Sequence, residues 1–265
     1  MINKSFYIIL GILFAFSSCT NKSNTCESAK KYDSSTIDSL FQHSIDHHHM
    51  PAAAAYIWHN DEIAYYKVFG MRDLENEIPL KKGDLFRIAS MTKVITAVAI
   101  MQLYERGLLF LDDPLYKFIP EFKDPQILLE LMEDSSFTSK AAEHQITIRQ
   151  LMTHTSGIAY GFQSDTYNAM VVKNGVSEGF EERNITTIEN ARNIAKLPLV
   201  CEPGEKYTYS LSYDVLGAVV EVVSGQRLDH YFQQYIFGPL GMNDSYFYLP
   251  KDKIERLVKW IRKNL

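Results

Sequence analysis

The chain has 265 residues, of which 46% are hydrophobic and 22% charged, so it can bury a sizeable core in one domain or two closely packed lobes. Its formal net charge of −5 is mild, and the basic residues are scattered without a run. This charge pattern argues against a nucleic-acid surface and favours a small-molecule partner.

The N-terminus reads M-I-N-K-S-F-Y-I-I-L-G-I-L-F-A-F-S-S-C, with an apolar run over residues 6–16 and small residues before Cys19. The run is too short for a membrane-spanning helix of about 20 residues and has the layout of a secretory signal. Because F-S-S-C closes it, the segment resembles a bacterial lipoprotein signal. We predict that residues 1–18 are removed, that Cys19 is lipid-modified and that the protein is an exported lipoprotein on a membrane of the cell envelope. In the alternative, an ordinary signal is cut nearby and Cys19 has no role.

Residues 19–35 are polar and are predicted to form a flexible tether between the membrane and the globular part. Apart from Cys19, the chain has only two cysteines, Cys26 and Cys201. Two cysteines do not make a disulfide framework, and whether they pair is left open.

The N-terminal part of the globular region is predicted to hold one helix and one hairpin. The helical pattern covers residues 36–49, with apolar side chains on one side at Ile37, Leu40, Phe41 and Ile45. After it, A-A-A-A-Y-I-W and E-I-A-Y-Y-K-V-F-G flank turn residues, which indicates an antiparallel hairpin around His59, Asn60 and Asp61. Both strands are apolar on both faces, so we expect helices to cover the sheet on at least one side.

Residues 126–200 are predicted to be mostly helical, with the helix in I-T-I-R-Q-L-M-T-H-T-S-G ending at Gly157. A proline-glycine turn, C-E-P-G-E, then precedes another predicted buried helix. Its apolar positions are Val215, Leu216, Val219, Val220, Val222 and Val223.

The stretch F-R-I-A-S-M-T-K-V-I-T-A-V-A-I-M places Ser90 three residues before Lys93 at the start of an apolar helix. Positions three apart share a helix face, so the serine hydroxyl and the lysine amine can meet as a nucleophile beside its base. Alternatively, Ser90 is a helix N-cap and Lys93 a solvated side chain. The pattern alone is weak, because Ser28 and Lys31 repeat it inside the tether.

A second candidate is Tyr209, in Y-S-L after the proline-glycine turn. A hydrogen-bonded tyrosine can carry a proton between nucleophile and leaving group. The alternative is an ordinary core aromatic, in a chain with sixteen tyrosines.

Histidines offer two further candidates. His154 in H-T-S-G suggests a general base in a Ser-His arrangement. A group near the N-terminus resembles a metal site, but no acidic or cysteine ligands accompany it at useful spacing, so we predict solvated side chains at His43, His47, His48 and His49. No metal or organic cofactor is implied.

Five segments, in order, resemble the serine β-lactamase-like superfamily, which includes class C β-lactamases, D-alanyl-D-alanine carboxypeptidases and family VIII carboxylesterases. They are F-R-I-A-S-M-T-K, L-L-F-L-D-D-P-L, I-T-I-R-Q-L-M-T-H-T-S-G-I, P-G-E-K-Y-T-Y-S-L-S-Y-D-V-L-G and F-G-P-L-G-M-N-D-S. The resemblance covers roughly residues 36–260 and assigns residues 36–265 to one hydrolase domain. It implies an α+β, β-lactamase/transpeptidase-like fold, with a helical lobe packed on an antiparallel sheet with flanking helices.

The same resemblance implies roles for individual residues. Ser90 would be the acylated nucleophile, Lys93 its base partner and Tyr209 the proton-transfer residue of the second motif, while His154 would be structural. The second motif is usually Y-x-N, and here its third position is Leu211, which cannot hydrogen-bond an amide. This favours a carboxylesterase acting on small esters. A β-lactamase or D-Ala-D-Ala carboxypeptidase, with a β-lactam or peptidoglycan-like substrate, is the alternative.

The third motif of the superfamily, K-T-G or H-x-G on a later strand, is not found after Tyr209. We therefore expect a domain that is incomplete at its C-terminus and lacks later sheet strands. The backbone N–H of Ser90 would supply one oxyanion donor, and the other would come from the missing strand; losing one donor typically costs about 10²–10³ in rate. A truncated, non-catalytic envelope lipoprotein is thus a further alternative.

Overall fold

The structure, a computed structural model, describes residues 33–132, 134–179 and 184–259. The predicted signal peptide, Cys19, Cys26 and most of the tether lie outside these residues, so the export and lipid-anchor assignments stay predictions. No helix in the described part of the chain is long and apolar enough to cross a membrane. The chain divides into two compact units, one running to Lys82 and resuming at Lys259, the other Gly83–Val258.

The first unit contains one helix and a three-stranded sheet. Its elements are α1 (Ser35–Asp46), β1 (Ala52–His59), β2 (Glu62–Asp73) and β3 (Ile78–Pro79). The strands pair antiparallel in the order β1-β2-β3, and β1 and β2 form the predicted hairpin. Asn60 and Asp61 at its turn have positive φ angles of 49° and 60°, which suits the two-residue hairpin turns that favour these residue types.

Helix α1 covers one face of β2 through an aromatic contact and a polar one. The rings of Phe41 and Phe69 stack with centroids 5.3 Å apart. The hydroxyl of Tyr65 donates to Asp38 Oδ1 at 2.6 Å. The predicted apolar stripe is partly correct, because Leu40 is 63% exposed.

The second unit is mainly helical. Its helices are α2 (Thr92–Glu105), α3 (Ile148–Met152), α4 (Asp165–Lys173), α5 (Thr187–Ile194), α6 (Ser212–Ser224) and α7 (Leu228–Phe232), joined by short 3₁₀ turns and a π-helical turn at Gln233–Phe237. Helix α6 is the buried helix predicted around Val215, and it packs against α2, α3 and α5. The helix ends where Gly225 adopts a left-handed conformation, as glycine does most easily.

The prediction that residues 126–200 are mostly helical was wrong at their start. Strands β4 (Gln126–Leu131) and β5 (Phe137–Ala141) form an antiparallel hairpin, and the N–H of Leu128 also donates to the carbonyl of Leu199 at 2.8 Å. The run Q-I-L-L-E-L is short and apolar, so its periodicity does not distinguish a strand from a helix. Pairing with distant residues decides the outcome here.

The predicted helix end at Gly157 was also wrong. A capping box between Thr147 and Gln150 starts α3, which already ends at Met152. His154 and Gly157 then both take positive φ angles, 55° and 82°. The segment Thr153–Gly157 is therefore a sharply turned loop, and it lies beside the site described next.

Candidate active site

Ser90 lies in a short 3₁₀ turn, Ala89–Met91, that leads directly into α2. Neither start position, Ile88 for the turn or Met91 for the helix, makes a side-chain capping bond. The Ser90 side chain is exposed and bonds other groups instead. The helix-cap alternative for Ser90 therefore finds no support.

The three residues predicted from the motifs come together around the Ser90 hydroxyl. Lys93 Nζ donates to Ser90 Oγ at 3.2 Å, as expected for positions three apart on a helix. The hydroxyl of Tyr209, 119 positions further along the chain, donates to the same oxygen at 2.6 Å. One hydroxyl thus has a phenol and an amine within hydrogen-bond distance, which is the arrangement an activated nucleophile requires.

A fourth residue, Tyr160, belongs to the same cluster and was not identified from the sequence. Lys93 Nζ donates to its hydroxyl at 3.2 Å, and its ring lies 5.6 Å from that of Tyr209. Tyr160 is 6% exposed, so it forms the inner wall of the site. Its position shortly after H-T-S-G was the only available signal, and no spacing rule distinguished it from the other tyrosines.

The hydrogen bonds of the cluster set the protonation of Lys93 and Tyr209. Burial acts to lower the pKa of Lys93, but hydrogen bonds to Tyr209 and Tyr160 outweigh it, and the pKa is raised. Burial acts to raise the pKa of Tyr209, yet its hydrogen bonds with Ser90 and Lys93 leave the pKa lowered. Lys93 is therefore held as an ammonium, and Tyr209 is the group that gives up its proton more easily than an ordinary tyrosine.

A carboxylate near the cluster, Asp214, has a pKa that burial raises above the ordinary value. Asp214, in the first turn of α6, loses most of its hydration, and this raises its pKa to about 6, although the Lys93 charge acts to lower it. At neutral pH Asp214 is thus ionised in an environment that disfavours the charge.

Replacing Asp214 with asparagine is expected to raise the free energy of unfolding at pH 7.5 by up to about 3 kcal/mol, since each tenfold change in proton affinity is worth about 1.4 kcal/mol. The folded-state pKa lies above the unfolded one, so the wild type gains stability as the pH falls from about 6 towards 4. The difference in the free energy of unfolding between Asp214→Asn and the wild type should therefore be smaller at pH 4.5. Urea unfolding at both pH values measures it, and a variant less stable than wild type at pH 7.5 would contradict the expectation.

His154 does not take the place of a general base. The described hydrogen bonds of its ring link Nδ1 to the hydroxyl and the backbone N–H of Ser210, at 3.2 and 3.3 Å. Burial, with the Lys93 charge, lowers its pKa to about 4. The structural interpretation of His154 fits these contacts, and no described hydrogen bond joins it to Ser90.

Leu211, at the third position of the second motif, is fully buried in the apolar core. It presents no hydrogen-bonding group to a substrate amide. Around the site, three large apolar side chains are instead exposed, Met91 at 68%, Phe162 at 65% and Tyr207 at 66%. Phe162 stacks on Tyr160 with ring centroids 4.8 Å apart, which places apolar surface next to the cluster.

Metal-binding geometry is not found in residues 33–132, 134–179 and 184–259, where no group of three or more His, Cys, Asp or Glu side chains is arranged to hold an ion. The rings of His43, on α1, and His47, directly after it, lie 3.9 Å apart without forming such a group. Cys201 is buried as a free thiol, and its possible partner Cys26 lies outside the described residues.

The sequence profile of the Beta-lactamase family matches residues 37–264. Among curated proteins, the chain is 35% identical to "Esterase EstB" of Burkholderia gladioli over 211 residues, 80% of this chain and 50% of that protein. It is 31% identical to "Lovastatin esterase" of Penicillium rubens over 215 residues, 80% of this chain and 52% of that one. The chain thus spans about half the length of the curated relatives it matches.

Among solved structures, the chain is similar to "EstCE1, a hydrolase with promiscuous acyltransferase activity". The TM-score is 0.71 at 28% identity, over 84% of this chain and 54% of that one. This similarity confirms the predicted α+β, β-lactamase/transpeptidase-like fold.

Proposed function

Because the chain belongs to the Beta-lactamase family, we propose that it is a serine hydrolase that forms an acyl-enzyme on Ser90 and cleaves small carboxylic esters. One observation carries the proposal. Ser90 Oγ is held between the Tyr209 hydroxyl at 2.6 Å and Lys93 Nζ at 3.2 Å, so groups that can remove its proton and stabilise charge are already in place.

In this proposal Tyr209, as its phenolate, accepts the proton of Ser90 while Oγ attacks the ester carbonyl carbon. The tetrahedral intermediate then expels the alcohol, which takes up the proton from Tyr209, and the acyl group stays on Ser90. Water attacks the acyl-enzyme in the second half, giving its proton to Tyr209 and releasing the acid. The Ser90 hydroxyl recovers a proton through the same tyrosine.

The sequence alone favoured Lys93 as the base, whereas the pKa shifts in the site support Tyr209 in that role. An amine acts as a base only when it is neutral, whereas the pKa of Lys93 is raised and that of Tyr209 is lowered. We assign proton transfer to Tyr209. Lys93 then stays protonated, favours the phenolate and orients Ser90 Oγ.

The preference for esters rests on the surroundings of the site. Leu211 offers no partner for the amide group of a β-lactam or peptide, and exposed Phe162 and Tyr207 present apolar surface suited to an acyl chain. Two of the relatives are named esterases. A penicillin-recognising enzyme is the second candidate, since the same nucleophile and tyrosine would serve it.

Covalent labelling tests the proposal. The purified chain is incubated with a fluorophosphonate probe or with a fluorescent penicillin, and intact mass and peptide mapping locate any adduct. We expect the fluorophosphonate to modify Ser90 and the penicillin to give little labelling. Ser90→Ala should abolish the adduct, whereas the matched control Ser28→Ala, in the other S-x-x-K pattern, should leave it unchanged.

Three outcomes would redirect the assignment. Strong penicillin labelling at Ser90 would favour the penicillin-recognising candidate. An adduct that survives Ser90→Ala would remove Ser90 as nucleophile. Labelling by neither probe, in a folded protein, would support the non-catalytic alternative.

A further inference from the structure

A line of buried hydroxyl groups leads to His154 from the start of α6. Ser156 Oγ and Ser212 Oγ lie 2.8 Å apart, Ser212 Oγ and Ser210 Oγ lie 2.8 Å apart, and Ser210 Oγ lies 3.2 Å from His154 Nδ1. The three serines have no exposed surface, and His154 is 7% exposed. A buried polar group that loses its hydrogen bond costs free energy, so these hydrogen bonds hold the three serine side chains and the His154 ring in fixed positions.

The direction of one bond defines the state of the His154 ring. The backbone N–H of Ser210 can only donate, and its acceptor is His154 Nδ1 at 3.3 Å. Nδ1 therefore carries a lone pair, and the ring is neutral with its proton on Nε2. The lowered pKa of this histidine agrees with the same state.

The loop containing His154 also binds the chain that leads to Tyr209. The carbonyl of His154 accepts from the N–H of Thr208 at 2.7 Å, and the carbonyl of Thr155 accepts from the N–H of Gly204 at 2.7 Å. His154 thus makes hydrogen bonds to the residues directly before and directly after Tyr209. Its ring also lies against the Tyr209 ring, with centroids 4.8 Å apart.

We propose that His154 is a positioning residue that holds Tyr209 against Ser90, chiefly through the hydrogen bond from Ser210 N–H to Nδ1. His154 accepts hydrogen bonds from the backbone N–H groups on both sides of Tyr209, those of Thr208 and Ser210. The 2.6 Å bond from the Tyr209 hydroxyl to Ser90 Oγ depends on the position in which these bonds hold Tyr209. The proposal rests on the proposed function only for its kinetic consequence. Misplacing a catalytic group by about 1 Å can cost about 10²-fold in rate.

The backbone conformation at His154 accepts two substitutions that differ in whether they keep a hydrogen-bond acceptor. Its φ of 55° is left-handed, a conformation that asparagine and glycine adopt readily. His154→Asn keeps an acceptor, Oδ1, close to the position of Nδ1. His154→Gly removes the acceptor without straining the backbone, and both variants lack the ring, so their difference isolates the hydrogen bond.

We expect His154→Gly to lower kcat for p-nitrophenyl butyrate by about 10- to 100-fold with little change in KM, and His154→Asn to recover most of it. In a Tyr209→Phe background the glycine substitution should have almost no further effect, because there is no hydroxyl left to position. If the role of His154 were purely structural, His154→Gly would lower kcat by the same factor in the wild-type and the Tyr209→Phe chains. Equal kcat for the asparagine and glycine variants, or full additivity with Tyr209→Phe, would overturn the proposal.

A second readout does not depend on activity. The chain is labelled with ¹³Cζ-tyrosine, the Tyr209 signal is assigned by its loss in Tyr209→Phe, and its titration is followed by NMR. We expect His154→Gly to move the Tyr209 pKa up towards the ordinary value, since its hydrogen bonds to Ser90 and Lys93 loosen, and His154→Asn to restore it. An unchanged titration in the glycine variant refutes the positioning role, even if no ester is hydrolysed. If His154→Gly does not fold, the titration of the asparagine variant decides, and a Tyr209 pKa shifted fully to the ordinary value there refutes it.

Discussion

Tyr209→Phe is expected to lower kcat for p-nitrophenyl butyrate by about 10²–10⁴-fold, the usual contribution of a positioned proton-transfer group. The phenolic oxygen that lies 2.6 Å from Ser90 Oγ is lost, and with it the proposed acceptor of the serine proton. The ring remains, so its packing against Tyr160 and His154 should keep the fold intact. Initial rates with the purified chain measure the effect.

The pH dependence of kcat distinguishes this role from a general loss of structure. Tyr209 must be ionised to accept a proton, so the wild-type rate should rise with pH through a pKa below the ordinary tyrosine value near 10. Lys93, whose pKa is raised, stays protonated across that range. The rising limb should disappear in Tyr209→Phe.

Tyr207→Phe is the matched control, because Tyr207 is 66% exposed and lies only two residues away. It loses a hydroxyl that contacts neither Ser90 nor Lys93 in the described hydrogen bonds, so its kcat should stay within about threefold of wild type, well short of a proton-transfer effect. If Tyr209→Phe also stayed within that range, Tyr209 would not be the proton-transfer residue.

Gly157→Ala is expected to reduce the free energy of unfolding by about 3 kcal/mol or more. The backbone at Gly157 has a φ of 82°, and a methyl group there would overlap the carbonyl oxygen of Cys201 and approach Leu199 Cβ to 3.1 Å. The two segments cannot separate freely, because the N–H of Val200 donates to the Gly157 carbonyl at 2.8 Å. Urea unfolding followed by circular dichroism gives the change.

Gly225→Ala separates the two causes of this loss. Gly225 also has a left-handed φ, 69°, but a methyl group there would meet nothing within 4 Å. Only the backbone cost remains, about 1–2 kcal/mol. Close approach to Cys201 would not be the dominant effect if the two variants proved equally unstable.

Some of the fold was predictable because its signals are local. Asn60 and Asp61 between two apolar runs specify the hairpin, since a two-residue turn depends on the residues within it. The apolar positions of α6 around Val215 specify a buried helix in the same way. The strand β4 was missed because a short apolar run becomes a strand only through its partners β5 and Leu199.

The amino-acid sequence was enough to predict the candidate nucleophile, Ser90, and its partners. Ser90 and Lys93 are brought together by helix geometry alone, because three positions along a helix return to the same face. The resemblance carried by the ordered motifs added Tyr209, and the charge pattern argued against a nucleic-acid surface. Spacing placed Ser90 beside Lys93, whereas the roles of these residues and of Tyr209 were implied by the resemblance to a known family.

Only the folded structure shows the pKa shifts and contacts on which the proposed roles of Tyr209 and His154 rest. A pKa depends on burial and on neighbours that are distant in sequence, so the raised pKa of Lys93 and the lowered pKa of Tyr209 could not be read from spacing. The same reason applies to Tyr160, which meets Lys93 across 67 positions, and to His154, which meets Ser210 across 56. Contacts of this range exist only once the chain has folded.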